Sequence, residues 1–152
     1  MIKEIVTDAE ALSAPAQPAT IDDVSVAIDL LDTMASLENA ASLAANQIGS
    51  DKAVIAYLDE QDSPHVMMNP KILRALGPYK AEESCFSHEA ISKVTRFARI
   101  EVSYDEVSEA LLHPADEAAP ADAQLVRRKK RLEGWEAELV QHGIDHCKGK
   151  LV

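Results

Sequence analysis

The chain has 152 residues, of which 15 are Lys or Arg and 26 are Asp or Glu, so its formal net charge is −11 at pH 7. This length fits one domain over residues 1–152, and the acidic balance argues against a general binder of nucleic acid or of anionic membranes. The longest apolar run, residues 53–58, is far shorter than the roughly 20 residues of a membrane-spanning helix. Two cysteines are too few for a disulfide scaffold, and without an export-signal pattern we expect reduced thiols and a cytoplasmic protein.

The first predicted element is an amphipathic helix over residues 21–38. The Ala- and Pro-rich stretch before it, residues 8–20, predicts an extended lead-in. Thr20 and Asp23 have the spacing of a capping box at a helix start. Apolar residues then recur at helical spacing, which is typical of one buried helix face: Val24, Ala27, Ile28, Leu31, Met34 and Ala35.

The remaining elements are mainly strands. Pro70 interrupts the second of four predicted strands, which lie at residues 53–58, 66–73, 98–104 and 126–132. Residues 105–124 are acidic and rich in Ala and Pro, and they predict a hairpin followed by a mobile loop. A second helix is predicted over residues 134–147. This order predicts an α+β fold of mostly antiparallel strands around a C-terminal helix.

His142 and His146 are four residues apart on the second predicted helix. This spacing places both imidazoles on one face, one turn apart, as two ligands of one metal require; a solvated or core pair of histidines has the same spacing. Trp135 and Leu139 continue the stripe, which predicts that this face points inward. Buried imidazoles without partners are costly, and this favours a metal.

A mononuclear hydrolytic site needs a third protein ligand and an open position for water. Cys85 is the natural candidate, because it lies in a polar segment between two predicted strands. The other interpretation of Cys85 is a small buried hydrophobic residue. Cys147 lies one residue beyond His146, about 100° around the helix, and is expected in core packing.

Three stretches of the chain resemble the three signature motifs of peptide deformylases. Residues 42–49, Ser-Leu-Ala-Ala-Asn-Gln-Ile-Gly, resemble the pattern Gly-Φ-Gly-Φ-Ala-Ala-x-Gln, with Ala40 and Ser42 in place of its glycines. Residues 83–87, Glu-Ser-Cys-Phe-Ser, resemble Glu-Gly-Cys-Leu-Ser, and residues 141–146, Gln-His-Gly-Ile-Asp-His, resemble Gln-His-Glu-x-Asp-His. The motifs occur in the family's order, and the flanking sequences agree, so the likeness covers nearly the whole chain.

The resemblance implies a metal centre and an activity. Its ligands would be Cys85, His142 and His146, and the metal would be iron(II) in the cell, replaceable by zinc, nickel or cobalt in purified protein. The implied reaction is removal of the N-formyl group from formyl-methionyl peptides or nascent-chain N-termini by a metal-activated water.

The resemblance also implies supporting roles around the metal. Gln47 and the backbone N–H of Phe86 would stabilise the developing oxyanion. Arg96 and Asp145 would form a charged pair that holds the metal helix to its loop. Without the resemblance, Gln47 would be interpreted as a surface amide and Asp145 as a solvent-facing helix residue.

The chain departs from the family pattern at Gly143, where the family's metal helix carries Glu. That carboxylate takes a proton from water and delivers it to the leaving amine, and glycine can do neither. Three interpretations remain open. The protein binds metal with little or no activity; or Glu82, Glu83 or His88 replaces the base; or the change is local to an otherwise working enzyme.

Other classes of function also remain open. A protein that keeps the metal and the cleft could bind peptides, or a regulatory ligand, without hydrolysis, and a metal could serve only as a structural staple. Residues 127–131, Arg-Arg-Lys-Lys-Arg, could contact RNA. No aromatic residues interleave this run, so we expect the solvated face of a strand and no direct nucleic-acid or membrane partner.

Overall fold

The computed structural model describes residues 1–85, 88–112, 125–150 and 152, and for Cys85 and residues 88–90 it describes the backbone alone. Within these ranges, five strands form one antiparallel sheet in chain order. The predicted α+β fold is confirmed. The strands are β1 Ser42–Ala44, β2 Val54–Leu58, β3 Pro64–Cys85, β4 His88–Glu106 and β5 Val126–Glu133.

Strands β3 and β4 form a long ribbon that reaches far beyond the predicted strands at 66–73 and 98–104. The prediction was too short because the outer part of the ribbon is largely exposed, and it therefore lacks the regular apolar alternation of a half-buried strand. Pro70 does not end β3, because the register shifts between Met68 and Lys71 and so accommodates a residue that has no N–H to donate. Asn69, with φ 51°, lies at this bulge.

Four α-helices lie in the described part of the chain: α1 Ala9–Leu12, α2 Val24–Ser36, α3 Glu109–Leu112 and α4 Gly134–Cys147. The predicted capping box is present before α2, since Thr20 N–H donates to Asp23 Oδ2 at 2.8 Å and Asp22 N–H donates to Thr20 Oγ1 at 3.2 Å. The helix starts with a 3₁₀ turn at Ile21–Asp23 and ends two residues before the prediction. The prediction of α4 is confirmed at both ends.

The extended lead-in predicted over residues 8–20 is wrong in part, because α1 forms there. Asp8 caps this helix by accepting the N–H of Glu10 at 3.1 Å, and Leu12 is buried. Helix α3 lies where a hairpin was predicted, and residues 113–124 of the predicted loop lie outside the described residues.

The two faces of the sheet support two hydrophobic clusters. Strand β2 serves both, because its successive side chains point to opposite faces. Val54 and Ala56 pack under α2, whereas Ile55 and Tyr57 pack under α4. This double burial explains why residues 53–58 are apolar without interruption.

The basic run 127–131 forms most of β5, as predicted. Arg127, Arg128 and Arg131 lie close to carboxylates of β4, with N···O distances of 3.2 Å to Asp105, 3.6 Å to Glu106 and 3.5 Å to Glu101 respectively. These contacts offset much of the positive charge and support the interpretation as a solvated strand face. No helix in the described ranges is long and apolar enough to cross a membrane.

Candidate metal centre and substrate cleft

Helix α4 brings the two predicted metal-binding histidines together in the protein interior. His142 is 8% exposed and His146 is 1% exposed. Their Nε2 atoms lie 3.1 Å apart, and the rings meet edge to face. The inward face predicted for α4 therefore holds for both histidines and for buried Leu139. It is wrong for Trp135, which is 55% exposed because it lies in the first turn of α4 at the open mouth of a cleft.

A buried carboxylate at the end of β3 orients His142. Glu83 Oε1 lies 2.8 Å from His142 Nδ1, and the carboxylate also accepts two hydrogen bonds from Arg96, at 2.9 and 2.6 Å. Burial alone would raise the pKa of Glu83, but the hydrogen bonds from His142 and Arg96 outweigh it and lower the pKa to about 2. Glu83 is therefore ionised near neutral pH and holds one tautomer of His142.

Arg96 connects this carboxylate to α4. It is buried on β4, and its Nη1 donates to Asp145 Oδ2 at 2.6 Å, so the two side chains that the resemblance pairs are in contact. Burial alone would lower the pKa of Arg96, but Glu83 and Asp145 together raise it. One network thus runs from Asp145 through Arg96 and Glu83 to His142, and it joins β3, β4 and α4.

The described nitrogen donors fit a metal. Two nitrogens bound to one tetrahedral ion at about 2.0–2.1 Å lie about 3.3 Å apart, close to the observed 3.1 Å between His142 and His146. A carboxylate on Nδ1 is also the usual partner of a metal-binding imidazole. Among the residues whose side chains are described, no group of three His, Cys, Asp or Glu residues converges. The side chain of Cys85, two residues after Glu83, lies outside that description.

The first motif region contributes two amides next to the histidines. Gln47 is buried in a 3₁₀ turn, Ala45–Ile48, and its Oε1 accepts the N–H of Ala44 at 3.0 Å. Asn46 Nδ2 donates to the backbone carbonyl of His146 at 2.9 Å. Sequence reasoning missed this role of Asn46, because no local pattern indicates a contact across a hundred residues.

A cleft of about 240 Å³ opens beside His142, where the three motif regions meet. It is lined by Asn39, Ala41, Ser42, Gln47, Glu82, Glu83, Ser84, Trp135, Glu138, Leu139 and His142. At the edge of the cleft, the hydroxyl of Tyr79 donates a hydrogen bond of 2.8 Å to Glu138 Oε1. A larger groove of about 570 Å³ lies elsewhere, on the sheet surface between Arg74 and Leu132, and contains none of the motif residues.

The candidate replacements for the missing base differ in their positions. Glu83 is occupied by Arg96 and His142, and its low pKa makes it a weak base. Glu82 is exposed in the cleft. The side chain of His88 and the position of Phe86 lie outside the described residues. Cys147, as predicted, packs against the core, and burial raises the pKa of its thiol to about 12.

The family model for polypeptide deformylase matches residues 2–115 of the chain. The chain belongs to the polypeptide deformylase family. The matched range ends before α4, so the family assignment does not depend on the helix that carries His142, Gly143 and His146.

Individual relatives extend the likeness to the whole chain. The peptide deformylase of Clostridium beijerinckii is 34% identical over 154 residues, which cover 100% of both chains. The peptide deformylase structure from Thermus thermophilus is 26% identical, with a TM-score of 0.78, over 99% of this chain and 83% of that chain. The structure from Legionella pneumophila is 27% identical, with a TM-score of 0.76 and the same coverage.

Proposed function

We propose that the chain is a metal-dependent deformylase that removes the formyl group from formyl-methionyl N-termini of nascent chains in the cytoplasm. Its metal ligands would be Cys85, His142 and His146, with Fe(II) in the cell and zinc, nickel or cobalt as replacements in purified protein. The observation that carries the proposal is the approach of the His142 and His146 Nε2 atoms to 3.1 Å beside the cleft.

A divalent ion, if held by these residues, would supply Lewis acidity and would lower the pKa of a water molecule. The chain's own residues supply orientation and hydrogen bonds. Glu83 fixes the tautomer of His142 through Nδ1 and so keeps Nε2 as the metal-facing atom. The N–H of Ala44 fixes Oε1 of Gln47, so we assign the Nε2 of Gln47, together with the backbone N–H of Phe86, to the developing oxyanion.

The proton transfer step is where this chain departs from its family. Gly143 has no side chain to move a proton from water to the leaving amine, and the low pKa of Glu83 makes it a poor substitute. A positioned general acid–base typically contributes about 10²–10⁴-fold to a rate. We therefore expect hydrolysis that is slow by about this factor, with substrate binding retained.

A non-catalytic, metal-containing peptide-binding or regulatory protein is the second candidate function. It is favoured by the combination of Gly143 with a complete Glu83–His142–His146 arrangement, which retains orientation and loses proton transfer. In this case a formyl-methionyl peptide would bind in the cleft and remain intact.

Anaerobically metal-loaded protein tests the two functions directly. We would measure formate release from a formyl-methionyl peptide, and the binding of the same peptide, for the parent chain and for His146→Ala. Slow formate release that disappears in His146→Ala is the expected result. Binding without formate release would favour the second candidate, and the absence of both binding and release would contradict the proposed function.

A further inference from the structure

Gly143 differs from the other glycines of the chain. The sequence has five glycines, and Gly49, Gly77, Gly134 and Gly149 all have a positive φ, which favours glycine. Gly143 lies inside α4 with a helical backbone that any L-residue can adopt. Because glycine is unfavourable in a helix interior relative to alanine, its presence here points to a limit on space.

Ile55 sets that limit. A Cβ placed on Gly143 would lie 3.1 Å from Ile55 Cγ2 and 3.3 Å from both Ile55 Cβ and Ile55 Cδ1. Carbon atoms in favourable contact are about 3.5–4.0 Å apart, so the addition of even one methyl group requires α4 or Ile55 to move.

Ile55 has little freedom to move. It is 1% exposed in β2, and it is paired with Ala44 of β1 on one side and with Met67 of β3 on the other. Its branched Cβ also restricts the side chain to few rotamers. Because the strand and the rotamer are both held in place, an added Cβ would press α4 away from β2 by a few tenths of an ångström.

We propose that Ile55 is a positioning residue of the metal centre. Its contact with Gly143 sets how closely α4 approaches the sheet, and therefore where His142 and His146 lie. Position 143 then lacks a carboxylate because the contact with Ile55 leaves no room for a side chain, and Gly143→Glu alone would not restore proton transfer. The structural part of this proposal stands by itself, whereas its consequence for catalysis rests on the proposed function.

A thermal-unfolding cycle tests the contact without any substrate. We expect Gly143→Ala to lower the Tm by about 3 °C or more, as overpacking does, although helix propensity alone would raise it. In an Ile55→Ala background the same substitution should lower the Tm by less, or should raise it. In a Val54→Ala background, on the opposite face of the same strand, its cost should be unchanged.

If Ile55→Ala does not fold, Ile55→Leu takes its place, because it removes the Cγ2 branch at nearly constant volume. An increase in Tm for Gly143→Ala in the parent, or an equal cost in the parent and Ile55-substituted backgrounds, would overturn the proposed contact.

Positioning of the histidines has its own signature. The visible absorption bands of the cobalt-loaded protein should shift in Gly143→Ala and return towards the parent in Gly143→Ala/Ile55→Ala. Unchanged bands in Gly143→Ala would limit Ile55 to a structural role and contradict the proposed positioning.

Formate release tests the consequence for catalysis. Gly143→Glu alone should gain less than about tenfold over the parent, and Gly143→Glu/Ile55→Ala should gain about a hundredfold or more. A hundredfold gain in Gly143→Glu alone would overturn the inference. If no variant binds metal or formyl peptide, the proposed function fails, while the unfolding cycle still decides the contact between Ile55 and Gly143.

Discussion

Glu83 is a buried carboxylate that joins Arg96 to His142, one of the proposed metal ligands. Its two oxygens receive hydrogen bonds from Arg96 and contact His142 Nδ1. Removal of one partner of a buried ion pair leaves the other charge uncompensated, which typically costs about 3 kcal/mol or more. Loss of the partner of a metal-binding imidazole typically lowers metal affinity about 10–100-fold.

We therefore predict that Glu83→Gln lowers both the free energy of unfolding, by about 3 kcal/mol, and the affinity for zinc, by about tenfold or more. Urea unfolding and competition with a chelating dye measure the two effects. Glu82→Gln is the matched control, because it makes the same change at an exposed neighbour. Equal effects of the two substitutions would contradict the role assigned to Glu83.

Helix α4 is attached to the rest of the fold by several contacts that need no metal. Gln141 exchanges two hydrogen bonds of 2.9 Å with the backbone of Phe97, Asp145 pairs with Arg96, and Asn46 holds the carbonyl of His146. A helix attached in this way should keep its place when the ion is removed. We therefore expect that the proposed centre is not a metal staple on which folding depends.

Removal of the metal by a chelator is accordingly predicted to leave the helical circular dichroism unchanged while the Tm falls. The Tm should fall because a metal that binds only the folded state stabilises that state. A free metal concentration of about a hundred times Kd should therefore restore about 2.7 kcal/mol of the free energy of unfolding. Circular dichroism and thermal unfolding at several metal concentrations provide the measurement. Global unfolding on chelation would show that the ion is structural, and a Tm indifferent to metal would show that none binds the folded state.

Local patterns were sufficient for α2, α4, β2 and β5. The two helices have an apolar helical period, β2 is an uninterrupted apolar run, and β5 is a basic run between Val126 and Leu132. The same kind of reasoning missed α1, since its short span is surrounded by Ala and Pro and is held by Asp8 and buried Leu12. It misplaced Trp135, because the helix period indicates a face and cannot indicate where a cleft opens. The contacts of Glu83 and Asn46 with α4 depend on tertiary packing, so the sequence alone could not reveal them.

The tyrosines give the molecule a predictable response to alkaline pH. All three have a raised pKa. Burial raises the pKa of Tyr57 and Tyr104, and burial together with the hydrogen bond to Glu138 raises that of Tyr79 to about 12. Tyrosine in the unfolded chain has a pKa near 10. Between that pH and the raised pKa values of the folded state, the native state therefore binds more protons than the unfolded state. The free energy of unfolding should therefore fall as the pH rises above about 10.

Two measurements check this prediction. The ultraviolet absorbance of tyrosinate should appear at higher pH in the folded protein than in urea, and the urea midpoint should be lower at about pH 11 than at about pH 9. The expected shift would be contradicted if tyrosinate absorbance appeared in the folded protein in a single transition at the same pH as in urea.

The net charge of −11 and the acidic cleft together predict which peptides bind best. Glu82 and Glu138 line the cleft with Trp135, and its described lining contains no Lys or Arg. A formyl-methionyl peptide with Lys as its second residue should therefore bind several-fold more tightly at low salt than one with Glu, and added salt should reduce the difference.

Trp135 is the only tryptophan, so its fluorescence reports binding even where no hydrolysis occurs. Glu138→Gln should weaken the preference, whereas Glu60→Gln, the same change in charge outside the cleft, should preserve it. Equal affinity of the parent chain for both peptides would show that these carboxylates do not select the ligand.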